Sequence, residues 1–539
     1  MGVCASEPCC PDRHPDESLH PAVWVSLWDD DVSQAEMPSQ VGSSSCYWDA
    51  ASLLTAVSAG DVVLVRGSWL TKLGEARQVL PRRQELPQEA ICTPEMLTAF
   101  PIVAVSYCWA SVQHPDPDGH QLRTLGTIVG QWLRWQPPRE DWDIAVFIDW
   151  CSLHQGPLLE NAPFNRCLSC INLLYAHHET HVWMLTQAPR NTQRYEERGW
   201  PTFERTISHM IKPGSKLLDL GFFDGRCKDW PRTTEVCKAK RIPPVVPEAF
   251  SKELHRKTFS HLVDQALIDA RYKETFEDLM GTVERLKFPG LGWGDEEIHK
   301  LAESIPRCWC LLELDLRENR IGDDGAEKLA AVIAHCQRLE VLDLCSNIIG
   351  DHGVRRLADA LPRCAALRAL DLSMNSIGDE GTAALAATMS RSRHFETLVL
   401  SANEIGDSGA IKLAAAIPDC AKLQLLDLSE NDISDSGTTG LAAALRCSRL
   451  RSLDLARNRF GDSGAEQLAA ALAGQAADRP GAPPPARALL RLLDVSGNRL
   501  SERGEQRLRE VWSQVGRPES QLACSRSQEA LLPLNQVLP

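Results

Sequence analysis

The chain has 539 residues, enough for two or three domains with cores of their own. A net charge of −15 excludes a general nucleic-acid binder, which is ordinarily basic. The 19 cysteines follow no disulfide spacing, which points to a reducing compartment, and no apolar run reaches the roughly 18 residues of a membrane-spanning helix.

Residues 1–21 open with Met1-Gly-Val-Cys-Ala-Ser6, the N-myristoylation frame: removal of Met1 exposes Gly2, and Ser6 holds the favoured position. One myristoyl chain partitions into a bilayer with a constant of only about 10⁴ M⁻¹. A second anchor is therefore needed, and Cys4, Cys9 and Cys10 are placed to take palmitate. The expectation is a lipidated, flexible N-terminus that holds a cytoplasmic protein at the inner face of a membrane. No secretory signal is visible, because an apolar core segment is missing. Residues 22–100 form a lead-in of unclear fold, with a short helix expected at 50–57, a strand at 61–65 and no assigned chemistry.

Residues 101–240 alternate strand-length apolar runs at 102–107, 144–148, 181–185 and 216–220 with helical patterns at 121–135, 166–177 and 203–210. That alternation predicts an α/β domain, a parallel sheet covered on both faces. In such sheets the site lies beyond the carboxyl ends of the strands, here just after Ser106, Asp149 and Thr186.

Four short motifs in this region resemble heterokaryon-incompatibility (HET) domains: Val105-Ser-Tyr-Cys-Trp109, Phe147-Ile-Asp-Trp-Cys-Ser-Leu-His-Gln155, Ile171-Asn-Leu-Leu-Tyr-Ala176 and Val182-Trp-Met184. The resemblance implies a doubly wound fold related to Toll/interleukin-1 receptor (TIR) and flavodoxin-like domains. Tyr195, Trp200 and Glu204 follow with a spacing similar to the segment that carries the catalytic carboxylate of NAD-cleaving TIR domains. By that resemblance Glu204 is the candidate catalytic residue and NAD the candidate substrate, with no cofactor required. Ser106, Trp109, Asp149 and Trp200 are the candidate pocket residues. A carboxylate at a strand's end would stabilise the oxocarbenium-like charge formed as a nicotinamide–ribose bond breaks. Read from the residues alone, Glu204 is equally a solvated helix position or an ion-pair partner of Arg198 or Arg205. The chain departs from the family pattern at Ala110, at Leu153-His154 and at Pro201; proline is tolerated in a helix's first turn. Cys167-Leu-Ser-Cys170 is a lone CxxC, and His177, His178 and His181 straddle a helix end, so no metal is assigned. No GxxxxGK[ST] loop for a nucleotide switch occurs.

Residues 241–290 begin with Arg241-Ile-Pro-Pro-Val-Val-Pro247, a stiff linker, and continue with amphipathic helices expected to cap a C-terminal repeat array. In that array, over 291–512, one sentence recurs, first as Leu311-Leu-Glu-Leu-Asp-Leu-Arg-Glu-Asn319-Arg-Ile321-Gly-Asp. Its asparagines are Asn319, Asn347, Asn375, Asn403, Asn431, Asn458 and Asn498, so the spacings are 28, 28, 28, 28, 27 and 40. The frame LxxLxLxxNxI at this period resembles leucine-rich repeats of the ribonuclease-inhibitor class, which implies a horseshoe of strand–turn–helix units that must stack to bury their apolar faces. The asparagines are expected to satisfy buried backbone groups. The frame's fifth position carries Asp315, Asp343, Asp371, Asp427, Asp454 and Asp494, with Val399 the exception. These are expected to project on the concave face and to invite a basic protein partner. Family consensus explains the same column without a ligand. The lengthened last interval places a Gly/Ala/Pro-rich loop near 474–487, and 513–539 reads as a loose tail.

The whole reads as a membrane-tethered signalling or immune-type protein, with repeats that bind a protein and control an NAD-cleaving HET/TIR-like domain. A non-enzymatic adaptor whose α/β domain self-associates is the alternative, and a GTPase-regulating repeat protein is a third.

Overall fold

The computed structural model describes residues 46–58, 62–111, 113–137, 142–155, 171–188, 192–261, 263–392, 394–477 and 490–524. Gly2, Cys4, Cys9, Cys10 and the Cys167/Cys170 pair lie outside them.

Alternation along one strand sets the architecture of the first domain. In β2 (Ile102–Tyr107) every residue is buried. Ile102 and Ala104 pack with Tyr175, Phe203 and Ile207 on one face. Val103, Val105 and Tyr107 pack with Leu122, Leu125, Ile128 and Trp132 on the other. A strand dressed this way needs cover on both faces and parallel neighbours. It has both: β3 (Ala145–Phe147), β4 (His181–Leu185) and β5 (Leu217–Asp219) run parallel to it, and β1 (Val65–Arg66) adds an antiparallel edge on β3. The order is β1-β3-β2-β4-β5. The chain thus reverses its direction of progress between β2 and β4, the switch point at which doubly wound sheets open a crevice.

The lead-in region belongs to this domain rather than preceding it. The expected strand at 61–65 is reduced to the two residues of β1, and the Gly67–Glu75 helix crosses the His120–Trp135 helix backbone to backbone. A Cβ on Gly126 would lie 3.1 Å from the Leu70 carbonyl oxygen and one on Gly74 3.3 Å from that of Leu122. A side chain at either position would push the helices apart by a few tenths of an ångström.

The first face of the sheet is continuous with the core of the second half. Below it lies the Val263–Thr282 helix, whose Tyr272 stacks on Phe250 of the Pro247–Leu254 helix at 3.6 Å. Its Phe276, Leu279 and Met280 lead through Val283, Leu286 and Phe288 into the repeats without a break in buried contact. Arg241 closes the junction. Its Nη1 donates to the Lys287 carbonyl at 2.6 Å, its Nη2 to that of His209 at 3.3 Å, and its guanidinium lies 4.4 Å from the Phe288 ring centre. In return Trp293 Nε1 donates to the Arg241 carbonyl at 3.2 Å.

The repeats form a nine-stranded parallel sheet: β6 (Arg285–Lys287), β7 (Glu313–Asp315), β8 (Val341–Asp343), β9 (Ala369–Asp371), β10 (Thr397–Val399), β11 (Leu425–Asp427), β12 (Ser452–Asp454), β13 (Leu492–Asp494) and β14 (Leu522–Ala523). The array therefore starts at Arg285, before the expected boundary at 291. The expected loose tail in fact ends the sheet, since β14 pairs with β13 and Cys524 is buried. Seven strand–helix units between these ends stack in register.

Two side-chain ladders hold that register. Asn347 Nδ2 donates to the carbonyls of Leu316 and Leu344 at 3.1 and 3.0 Å, while its Oδ1 accepts the Ile321 amide at 3.0 Å. The same bridging recurs at Asn319, Asn375, Asn403, Asn431 and Asn458, so the asparagines act as the frame predicts. Asn498 makes the two carbonyl bonds, to Leu455 and Val495. The second ladder runs along the helix starts. Asp323 Oδ1 accepts the amides of Gly350 and Gly353, the first turn of the next repeat's helix, at 2.8 and 2.9 Å. Asp295, Asp351, Asp379, Asp407 and Asp435 do likewise one repeat along. Each repeat thus caps the helix of its successor, where a carboxylate also meets the positive end of the helix dipole.

Replacing Asn347 by Ala strips one buried amide and two carbonyls of their partner. The expected loss is about 3 kcal/mol, read from urea unfolding. Arg320→Ala, at an exposed neighbouring position, should cost under about 0.5 kcal/mol.

Candidate functional site

Ser106 lies near the carboxyl end of β2, beside the switch point, and faces the Gly199–Ser208 helix. Pro201 stands in that helix's first turn, where its missing amide costs nothing, so Glu204 follows one turn in. Ser106 Oγ donates to Glu204 Oε2 at 2.5 Å and lies 2.5 Å from the Tyr195 hydroxyl. Tyr175, from the Ile171–Ala176 helix, donates to the Val105 carbonyl at 3.0 Å and borders the same carboxyl. All four side chains are buried, and Glu204 is 6% exposed. Burial pushes the Glu204 carboxyl well above the usual carboxylate range and the charge of Asp149 adds to the rise, while the bonds with Ser106 and Tyr175 oppose it. Ser106 and Glu204 are thus brought together, with Tyr175 and Tyr195 completing a polar cluster under the sheet. The solvated or ion-paired Glu204 that spacing also permits is not what forms.

Asp149 starts the Asp149–Ser152 turn at the end of β3 and does different work. It accepts bonds from the Tyr107 hydroxyl, from Trp109 Nε1 at 2.9 Å and from the Trp150 amide at 2.6 Å. Burial raises its carboxyl, and the bonds from Tyr107, Trp109 and Trp150 pull the other way. Gln155 Nε2 reaches back to the carbonyls of Asp149, Trp150 and Leu153, which fixes the turn. Trp109 stands edge-on to the Trp150 ring at 5.3 Å. Asp149 and Trp109 therefore form a second unit that ties the ends of β2 and β3 together. Trp200 joins neither: its Nε1 donates to Asp264 Oδ2 at 2.9 Å, and its ring meets Phe203, so it braces the Gly199–Ser208 helix against the Val263–Thr282 helix. The sequence offered Trp200 as a core or pocket-wall aromatic, and the structure places it apart from the Ser106–Glu204 cluster.

The histidines separate as well. His177 and His178 have Glu179 beside them, all with donor atoms within 4.8 Å, whereas the sequence showed no carboxylate arranged there. Both ring nitrogens of His177 are already engaged, by the Asp49 carbonyl and the Glu179 amide, each at 3.2 Å. His181 instead lies against Trp132 at 5.2 Å. Sequence reasoning missed Lys212, which is fully buried with Nζ bonded to the His177 carbonyl and to Thr180 Oγ1; nothing in its neighbours marks it. Burial holds its ammonium well below the ordinary lysine range.

On the inner face of the repeats the aspartates are not presented to solvent as expected. Asp315, Asp343, Asp371, Asp427 and Asp494 are 1, 1, 2, 1 and 4% exposed, and Asp454 is half-buried. Each turns one carboxylate oxygen back onto the amide two residues on, from Arg317 at 3.1 Å to Ser496 at 2.8 Å. A short side chain that can satisfy its own turn folds down onto the strand instead of reaching outward. The column is there, but it is not a charged docking face. What the edge of that face does expose is apolar: Ile348 is 62% and Met374 46% exposed, on adjacent repeats. The Ser346 hydroxyl lies 3.2 Å from the Met374 sulfur.

A family profile described as "Leucine Rich repeat" matches residues 308–330, 363–386, 391–414, 419–442 and 446–469. The chain therefore carries leucine-rich repeats, in the region where the sheet of β7 to β12 stands. Among solved structures it is similar to the Leiomodin-1 actin-binding site 2 (ABS2), with 14% identity over 30% of this chain and 86% of that one, TM-score 0.22. It is also similar to the plant peptide hormone receptor RGFR1 in complex with RGF2, with 15% identity over 44% of this chain and 39% of that one, TM-score 0.25. No curated protein matches it by sequence.

Proposed function

We propose that this leucine-rich-repeat protein is an interaction protein, whose repeats take up a protein partner and whose α/β domain carries the response. The observation that carries this reading is the exposure of Ile348 and Met374 on adjacent repeats; Trp309 and Ile411 are the other large apolar residues of the array exposed among those described. An apolar rim patch flanked by polar positions suits a protein contact rather than a small molecule. The unbroken core from the repeats to the sheet gives partner binding a mechanical route to the α/β domain. N-terminal acylation at Gly2 with Cys4, Cys9 or Cys10 would hold the assembly at a membrane.

In the finer reading the α/β domain resembles HET and TIR domains and cleaves NAD, with Glu204 as the carboxylate and Ser106 and Tyr195 positioning it. Its support is the meeting of these three residues at the switch point. The adaptor reading has an observation of its own: Glu204 is buried, bonded and held toward its neutral form, which suits a structural acid.

Two experiments separate these. Ile348→Asp and Met374→Asp lie on the surface and should leave folding intact while weakening partner association at least 30-fold, as loss of a contact worth about 2 kcal/mol does. Proximity labelling of both variants in cells should lose a common set of proteins that Lys412→Asp, on the helical side, retains. Incubation of the full chain with NAD should release nicotinamide, with the release abolished in Glu204→Gln. No release from folded protein would leave the adaptor reading standing.

A further inference from the structure

We propose that the inner-face aspartates form two proton-sharing ladders, so that the repeat array loses stability as pH rises through the neutral range. The geometry starts from register. Asp315 pairs with Asp343 and Asp343 with Asp371; beyond Val399, Asp427 pairs with Asp454 and Asp454 with Asp494. Adjacent strands in a sheet lie roughly 4.8 Å apart. The six carboxyls therefore stand as two parallel columns of three, all buried except the half-buried Asp454.

Each of the six carboxyls spends Oδ1 on the amide two positions along. Few charges answer them. At the first triplet Arg317 Nε stands 3.6 Å from Asp315 Oδ2, and that oxygen accepts no hydrogen bond. Lys287 also favours the charged form of Asp315, but it is shared with Glu313 at 3.6 Å, and Glu313 opposes it. The Cys345 thiol lies against Asp343 and Asp371, and its own burial with their charge pushes it up, so it offers no compensating charge. At the second triplet Arg457 faces Asp494 but is bonded to Glu430 at 2.7 Å, and Glu430 adds to the repulsion at Asp454. Hydroxyls help at some rungs: Ser373 Oγ donates to Asp371 at 2.6 Å and Ser429 Oγ to Asp427 at 2.7 Å. Asp343 has Cys345 at the corresponding place and lacks that donor.

Three like charges at strand spacing in a buried column cannot all persist against one arginine. A proton on one member of a triplet removes its repulsion with the neighbours on both sides. Burial and neighbouring carboxyls accordingly raise Asp343 and Asp454 well above the usual range, and burial pushes Asp371 up to about 7. A carboxyl raised in the folded state contributes stability that is whole below the unfolded pKa of about 3.9 and is lost as pH rises through the folded value.

The test is urea unfolding of the full chain at pH 5 and pH 8, in EDTA, for wild type, Asp371→Asn and Val399→Asp. Asparagine keeps an oxygen for the Ser373 amide and hydroxyl but cannot ionise. The ratio of variant to wild-type unfolding constants should fall about a hundredfold between the two pH values. Val399→Asp joins the two triplets and should steepen the loss with pH. At pH 6 the infrared protonated-carboxyl band, to which Glu204 contributes in both proteins, should be weaker in Asp371→Asn than in the wild type. An Asp371→Asn effect equal at both pH values, or a band unchanged by the substitution, overturns the proposal. So does a pH dependence that vanishes in EDTA, since that assigns the space between Asp343, Cys345 and Asp371 to a cation. If Asp371→Asn does not fold, Val399→Asp decides: a loss of stability with pH no steeper than in the wild type overturns the proposal.

Discussion

Everything in the second half of this protein depends on side chains that finish the backbone of a neighbouring repeat. A strand of three residues and a helix of ten cannot satisfy their own ends, and a turn between them buries amides that water cannot reach. Asn347 serves Leu316 and Ile321 of the repeat before it, and Asp323 serves Gly350 and Gly353 of the repeat after it. Because each bond crosses a repeat boundary, stacking and local folding are one event. Gly325, in the first turn of its repeat's helix, belongs to the same device: a Cβ there would stand 2.5 Å from Asp295 Oδ1, so the cap requires its absence.

The same dependence reaches the α/β domain. The array needs a first layer, and β6 with the Val263–Thr282 helix supplies it from a segment whose other side covers the sheet. Arg241, among the described residues, has no carboxylate partner; burial alone presses its guanidinium below its ordinary value. It is held instead by carbonyls and the Phe288 ring. Such a contact gains little from charge and much from shape, so it suits a fixed joint better than a loosely docked one. The repeats are therefore continuous with the body that holds the Glu204 cluster.

Much of this was legible in the sequence, for definable reasons. The repeat asparagines stand at fixed intervals and their chemistry has one use in a buried turn, so they read correctly. Strands β2 and β4 were bounded by their apolar runs at 102–107 and 181–185. Ser106 and Glu204 met because the motif spacing carried a sheet and a helix with it. The failures are equally physical. Arg285-Leu-Lys287 is too short and too polar to show the frame, and only the strand beside it makes it β6. Alternation says which face an aspartate takes but not how far it reaches, so Asp371 and its companions read as exposed until their bonds to the next amides were seen. Trp200 sits beside a motif residue in sequence, yet its indole is claimed by Asp264, a residue of another helix.

That the repeats and the α/β domain share one core is tested most directly by scanning calorimetry of the full chain. A shared core predicts a single cooperative transition, which Arg241→Ala moves to lower temperature as a whole. Two separate transitions, with only the contact between them altered by Arg241→Ala, would contradict it.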